Sequence, residues 1–312
     1  MSTASSTTVG VGGGQSKTVG ARFGRSTAWL ILGVIILISV FPFYWATRTG
    51  LTKNSALLAG DSGLIPDEPT ILNFKRVLGL ASDEEILEAT GQAATGSFDY
   101  VLALRNSVII ATLVTAGQVL FCSMAAYAFA RLRFKGRDQL FFLYLTGLMV
   151  PPIFILIPNL ILIKNLGWLN SFPGMVAPFF LMTPFAVFFL RQFFLGINRS
   201  LEEAALIDGA SHFTIYRKII LPIATPQLVT LAVLTYVTSW NEFLWPLVVA
   251  PVDENVQPLT VALGSFAAQN PGSAPDWSGL MTGTILAALP MLLIFFVFGK
   301  RLVDSIQFSG IK

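Results

Sequence analysis

Six long apolar runs, each bounded by polar or charged residues, set the rhythm of this chain. They extend from Thr27 to Ala46, Val108 to Ala130, Leu140 to Ile163, Gly174 to Phe194, Leu228 to Val249 and Leu280 to Gly299. A helix needs about 20 apolar residues to cross the hydrocarbon core of a bilayer, and these runs meet that length. The pattern predicts an all-α, polytopic membrane protein with six transmembrane helices over residues 27–299. Composition agrees, because 54% of the residues are hydrophobic and only 12% are charged, against about 25% charged in a soluble domain. The lipid bilayer is the expected solvent.

The basic residues set a sidedness. Lys17, Arg22 and Arg25 precede the first run, and Arg131, Arg133, Lys135 and Arg137 follow the second. Arg191, Arg199, Arg217 and Lys218 cluster around the end of the fourth, and Lys300, Arg301 and Lys312 close the chain. Together these make fourteen of the 20 basic residues, and the alternate segments hold Arg48, Lys53, Lys75, Arg76, Arg105 and Lys164. Excess Lys and Arg mark the cytosolic side. Both termini are therefore expected in the cytosol, with a tail over 1–26, an outer loop over 47–105, a cytosolic loop over 195–226 and a C-terminal tail over 300–312. The net charge of +3 then reports topology, and no nucleic-acid partner is expected. The first run has no small-x-small cleavage site after it and reads as a retained span.

Residues 1–20 are rich in Ser, Thr and Gly and read as a disordered tail. The stretch Gly12 to Thr18 is no phosphate loop, since Val11 and Ser16 stand where that loop requires glycine. In the outer loop, Ser82-Asp83-Glu84-Glu85 has the spacing of a capping box and predicts a short helix. Pro42, Pro151, Pro152, Pro158, Pro178, Pro184, Pro246 and Pro290 punctuate the runs, and each removes a backbone donor. A bundle of broken, movable helices is the expectation.

The loop between the fourth and fifth runs carries the strongest pattern. Asn198 or Ser200 can cap a short helix with Glu202 and Glu203 in its first turn, where negative charge suits the helix dipole. Asp208-Gly209 breaks it, because glycine takes the positive φ of a sharp turn. Ser211 then caps a second helix with Phe213, Tyr216 and Ile220 on one face, ended by Pro222. Ala204, Ala205, Gly209 and Ala210 would form a narrow ridge open to close approach. Periodicity and capping alone leave both a solvated loop and a docking surface open.

The string Glu203-Ala204-Ala205, then Asp208-Gly209-Ala210, then Ile219, Leu221 and Pro222 resembles the EAA signature of permease subunits in bacterial ATP-binding-cassette importers. Its place between the fourth and fifth of six spans matches as well. The stretch Trp240 to Leu247, with the pairs Asn73-Phe74 and Asn106-Ser107, is similar to carbohydrate-uptake permeases related to the smaller membrane subunit of the maltose system. The tail and the stretch from Gly79 to Tyr100 are longer than that family's usual form. The resemblance implies a type I importer fold in the bacterial cytoplasmic membrane, with a homologous permease, an ATP-binding subunit dimer and an extracytoplasmic sugar-binding protein as partners. It makes Glu203, Ala204, Ala205, Asp208, Gly209, Ala210, Ile219, Leu221 and Pro222 the contact to the ATPase. ATP and magnesium would belong to that partner, with no cofactor in this chain.

Asn241 and Glu242 fall inside the fifth run, and an intramembrane carboxylate is by default a functional candidate. With Trp240 they are expected to line the path of a carbohydrate substrate. Hydrogen bonding across helices to a partner subunit is the competing account. His212 and Cys122, the sole histidine and cysteine, lie apart in sequence with no metal-ligand spacing, so neither a metal site nor catalysis is expected. An importer of a non-sugar solute is the nearest rival, and an ion-coupled secondary transporter a more distant one. The latter calls for buried ionisable pairs, whereas Glu242 is the one carboxylate inside a run.

Overall fold

The computed structural model describes residues 17–90, 99–251, 255–268 and 276–307. Every regular element among them is helical: α1 (Lys17–Gly50), α2 (Asn54–Leu58), α3 (Leu72–Val77), α4 (Asp83–Thr90), α5 (Tyr100–Arg131), α6 (Arg137–Thr146), α7 (Pro152–Asn165), α8 (Phe172–Phe180), α9 (Pro184–Gly196), α10 (Ser200–Ile207), α11 (His212–Ile215), α12 (Leu221–Ile223), α13 (Thr225–Trp240), α14 (Leu244–Val249), α15 (Leu259–Ala268) and α16 (Trp277–Gln307). A single 3₁₀ turn, Gly147–Met149, follows α6, and a π-helical turn, Tyr216–Ile220, joins α11 to α12.

Three spans are continuous, within α1, α5 and α16. The others are bent pairs, and proline chemistry explains where they break. Val150-Pro151 separates α6 and its 3₁₀ turn from α7 at 99°, and Leu181–Thr183 separates α8 from α9 at 41°. A residue before proline avoids the helical region, so Pro151 and Pro184 each end one helix and open another. Pro42, Pro158, Pro178 and Pro290, expected to interrupt their spans, instead lie within continuous helices. Helix α1 begins at Lys17, ahead of its span at Thr27, and α16 runs to Gln307, beyond its span's end at Lys300, while residues 1–16 lie outside the described residues.

The fifth span differs most from expectation. Its helix α13 stops at Trp240, and a break at Asn241–Phe243 precedes α14. Its sixteen residues reach about 24 Å, less than the bilayer core of about 30 Å. Glu242 therefore sits in a helix break rather than at mid-helix.

The core forms around α5. Its buried face reads Tyr100, Ala103, Asn106, Ser107, Ile110, Ala111, Val114, Gly117, Gln118, Cys122, Ser123, Ala126, Tyr127 and Ala130, a three-four spacing along one stripe. Small residues dominate it, which lets backbones approach in a solvent as apolar as the side chains. Helices α13, α9, α8 and α15 pack on that stripe, whereas α1 lies against α16 at the edge with its apolar surface outward. At Gly117 a Cβ would collide with the carbonyl oxygen and ring of Phe180.

Buried asparagines lace the loops. Asn73 Nδ2 donates to Gly50 O and Thr52 O, both at 2.8 Å. Asn106 Nδ2 donates to Asn255 O at 2.9 Å and Gln257 O at 3.0 Å. Ser107 Oγ accepts from Leu259 N–H at 2.8 Å, at the start of α15. Asn73, Asn106 and Ser107, from the two pairs singled out in the sequence, thus hold chain connections together. An Arg76–Asp276 ion pair at 2.7 Å, mostly buried, joins α3 to the start of α16. The expected capping box also forms: Ser82 N–H donates to Glu85 Oε2 at 2.9 Å and Glu85 N–H to Ser82 Oγ at 3.3 Å.

Gly117→Leu is expected to destabilise the bundle by about 1–3 kcal/mol, since the obstacle includes a backbone carbonyl, and detergent-phase melting would read the loss. Gly33→Ala, in open space on α1, should leave melting unchanged or slightly raised; equal effects at both sites would refute the close-approach argument. The Ser82 N–H, with Lys75 as the smaller contribution, holds the Glu85 carboxyl below its usual range. The stabilisation of α4 it provides is complete above the ordinary carboxylate value of about 4.3 and fades as pH falls through the lower folded value. Protection factors of the α4 amides should therefore hold from pH 7 to pH 5 and drop in stronger acid.

Candidate functional site

Residues 199–224 build a hairpin on one end of the bundle. Helix α10 closes with a Schellman turn. Ala210 N–H donates to Ala205 O at 2.9 Å and Gly209 N–H to Leu206 O at 3.0 Å, with Gly209 at φ +80°. That geometry requires a residue comfortable in the left-handed region, which is why glycine follows Asp208. Ser211 then caps α11, its Oγ accepting from Thr214 N–H at 3.2 Å. At the other end, the expected caps act differently. Arg199 occupies the N-cap position of α10 without a side-chain bond, while Asn198 Oδ1 accepts from Ser200 N–H at 3.0 Å.

Pro222 does not end the second helix of the hairpin. Proline cannot donate to the carbonyl four residues back and crowds it, and the turn just before it, Tyr216–Ile220, is widened to π form. Such a turn absorbs a local misfit without ending the helix. The rod continues to Ile223 and then bends 77° into α13. Tyr216 and Ile220 are buried, whereas Phe213, expected on the same face, is exposed.

The small residues split between two faces. Ala205, Ala210, Ile219 and Leu221 pack down on the cluster formed by Tyr127, Phe194, Ile215 and Ile220. Glu203, Ala204, Leu206, Ile207, Asp208, Gly209 and Pro222 face outward. Ile207 is 87% exposed, a large apolar side chain at the tip of a polar hairpin. The sequence reading missed Leu206 and Ile207; their signal was an apolar pair out of phase with the inward-facing alanines.

The hairpin is anchored by charge. Arg131, at the last turn of α5, places Nε 3.0 Å from Glu202 Oε1, and the two side chains are 2% and 13% exposed. The N–H lies off the line to the oxygen, since neither atom completes a hydrogen bond, so the contact is an ion pair. The same guanidinium donates to Ile197 O at 2.6 Å and to Phe194 O. It covers carbonyls at the negative end of the α9 dipole. Ser123 and Tyr216 hydroxyls meet at 2.8 Å, and the Tyr127 and Tyr216 rings pack at 5.3 Å. One end of α5 is thereby tied to both helices of the hairpin.

A second feature lies between α5, α8, α9 and α13: a cavity of about 240 Å³. Its polar lining is Gln118, Thr183, Thr235, Thr238, Ser239 and Glu242, with Phe179 and Phe185 among the apolar walls. Glu242 Oε1 accepts from Trp245 N–H at 3.2 Å, capping α14, and Thr260 donates to Glu242 O at 2.8 Å. Of the three residues expected on the substrate path, only Glu242 lines this cavity. Trp240 is 4% exposed, stacks on Tyr236 and packs among Val77, Tyr100 and Leu259. Asn241 is exposed, its Nδ2 donating to Val237 O at 2.8 Å. Gln118 escaped the sequence reading, although an amide inside an apolar run is the kind of residue that marks an intramembrane site.

A bundle of continuous and bent spans around a largely apolar cavity with a few polar groups, and an anchored hairpin at one end, fits a membrane transport component. Residues 118–308 match the family described as the inner membrane component of binding-protein-dependent transport systems. The chain is 34% identical to the arabinooligosaccharides transport system permease protein AraQ of Halalkalibacterium halodurans, over 91% of this chain and 96% of that protein. It is 31% identical to the trehalose/maltose transport system permease protein MalG of Thermococcus litoralis, over the same shares. Its fold matches, with a TM-score of 0.74, that of a chain in the crystal structure of a bacterial ABC transporter involved in import of the acidic polysaccharide alginate. That match covers 91% of this chain and 98% of the other at 21% identity. This chain belongs to the binding-protein-dependent permease family. It is accordingly a transport subunit and not an enzyme, with ATP hydrolysis on a separate subunit.

Removing the Glu202 charge strands a buried guanidinium, which costs about 3–5 kcal/mol when one partner of such a pair is lost. Glu202→Gln should fall at the lower end, because Arg131 keeps its carbonyl contacts, and melting in detergent should drop by several degrees. Glu203→Gln, next door and exposed, should stay within about 0.5 kcal/mol of the parent. Indistinguishable melting of the two variants would contradict the anchoring role.

Proposed function

We propose that this chain forms half of the solute pathway in an ATP-driven, binding-protein-dependent importer of a carbohydrate. It would sit in the bacterial cytoplasmic membrane with both termini in the cytosol. A homologous permease would complete the pathway, an ATP-binding subunit dimer would drive it, and an extracytoplasmic sugar-binding protein would deliver the solute. The sugar assignment is supported by the substrates in the names of the two relatives, an arabino-oligosaccharide and trehalose or maltose. The orientation is supported by the uneven distribution of basic residues.

The observation that carries the reading is the hairpin at residues 199–224, rigid on one face and exposed on the other. Glu203, Ala204, Asp208, Gly209 and Pro222 would meet the ATPase directly, with Ile207 as an apolar plug. Ala205, Ala210, Ile219 and Leu221 would transmit the load into the cluster beneath. A push on the hairpin then reaches α5 and α9 through Arg131 and α13 through the 77° bend. Rigid elements with bent joints are the means by which such a push becomes alternating access. Glu242 would face the solute in the cavity, Trp240 would hold the end of α13 from behind, and Asn241 would shape the break between them.

Gly209→Glu forces a side chain onto a left-handed residue and sets a second carboxylate beside Asp208. It is expected to leave membrane insertion intact, to cut co-purification of the ATP-binding subunit at least fivefold and to abolish uptake. Ile207→Asp should weaken association in the same assay without disturbing the turn. Normal recovery of the ATP-binding subunit with both variants would rule out docking at this hairpin.

A further inference from the structure

The intramembrane cavity has a chemical bias that the family assignment does not supply. Most of its side-chain hydrogen-bond donors are already committed within the protein, leaving the Ser239 hydroxyl and the second Gln118 Nε2 N–H. Gln118 Nε2 donates to Phe179 O at 2.9 Å, and a carbonyl partner fixes which way round the amide must lie. Gln118 Oε1 then accepts from the Thr183 hydroxyl at 3.3 Å and the Thr235 hydroxyl at 3.5 Å. The Thr238 hydroxyl donates to Leu234 O at 2.9 Å, one helical turn back. What these threonines present to the cavity is lone pairs. Glu242 adds a half-buried carboxylate whose Oε1 already accepts from Trp245 N–H, and no basic side chain lines the space among the described residues.

We propose that this chain itself carries a solute-reading site, an acceptor-lined pocket for a neutral polyhydroxylated ligand that disfavours anions. The inference rests on the reading of the chain as part of a solute pathway. A neutral polyol brings several O–H donors to a lining in which acceptors outnumber the two free donors, the Ser239 hydroxyl and one Gln118 N–H. Its C–H faces match the Phe179 and Phe185 walls, a mixture of apolar walls and few polar groups usual for small-molecule sites. A phosphorylated or carboxylated ligand would bring acceptors to acceptors, beside a carboxylate in a medium where charge repulsion is weakly screened. Size and walls separate the polyol from a bare cation: the volume of about 240 Å³ far exceeds an ion, and one carboxylate is a poor coordination set. The break at Asn241–Phe243 fits as well, since irregular backbone at membrane depth is tolerated where it borders a cavity.

The test uses the assembled transporter in nanodiscs, with Thr238→Cys as probe in a Cys122→Ser background and labelling read on this chain by intact mass. Methanethiosulfonates of equal size, one cationic (trimethylammonioethyl) and one anionic (sulfonatoethyl), are compared after normalising to their rates with free thiol. The cationic reagent should react at least tenfold faster. Glu242→Gln, whose amide oxygen can still accept from Trp245 N–H, should bring that ratio near one. Trehalose at 100 mM should slow labelling severalfold, and glucuronate or sodium chloride of matched osmolarity should not. A ratio near one in the parent, or one that Glu242→Gln leaves alone, overturns the proposal. So does protection by glucuronate or sodium chloride that equals trehalose, or no protection by either sugar. Ser239→Cys repeats the measurement from a second wall position, and a failure at both probes counts against the site. None of these readings depends on ATPase docking, so the site can fail while the permease assignment stands.

Discussion

A backbone carbonyl or N–H left bare in hydrocarbon costs several kcal/mol, yet three of the spans here are broken or bent. One unbroken helix, α5, satisfies the break between α8 and α9 and the connection leading into α15. Along α5, Asn106 serves the carbonyls of Asn255 and Gln257, and Ser107 serves the first N–H of α15. Gln118 takes the carbonyl of Phe179 beside the break between α8 and α9, and Cys122 Sγ approaches the carbonyl of Leu181 within that break. Arg131 covers the end of α9. Asn106, Ser107 and Gln118 lie on the buried face of α5 and meet backbone groups that neighbouring segments leave unpaired.

That arrangement separates rigidity from mobility. α5 is the fixed spine, with small residues that let α8 and α13 approach closely, most of all at Gly117. At the joint between α8 and α9, the carbonyls of Phe179 and Leu181 are already met by Gln118 and Cys122. At the hairpin the same helix ends in Arg131, which holds α10 through Glu202 and α9 through its last carbonyls. A single guanidinium therefore links the surface a motor would grip to the helix on which the bundle is built.

The cavity follows from the same economy of donors. Gln118 turns its amide N–H to Phe179 and its oxygen to two threonines, so stabilising the break leaves acceptors facing inward. Glu242 caps α14 with one oxygen while standing at the cavity edge. Structural and functional accounts of this residue need not compete. The carboxylate that accepts from an N–H in the first turn of α14 is also the charge proposed to bias what the cavity holds.

Much of this was legible in one sequence. Apolar runs of bilayer length dictate helices, because no other open structure satisfies its backbone in lipid, and Asp208-Gly209 announced a sharp turn through the special φ of glycine. The capping box at Ser82 and Glu85 was equally local and formed as read. Local chemistry marked the span prolines alike and did not say which would break a helix: Pro151 and Pro184 stand at joints, whereas Pro42, Pro158, Pro178 and Pro290 sit in helices that stay whole. The role of Gln118, the inward turn of Trp240, the end of α13 before Glu242 and the Arg131–Glu202 tie depended on neighbours distant in sequence. Hydrophobic period and turn chemistry are properties of a few adjacent residues, so the chain states them by itself. Which side chain meets which broken backbone is decided only when the helices pack, because the partner lies tens to hundreds of residues away.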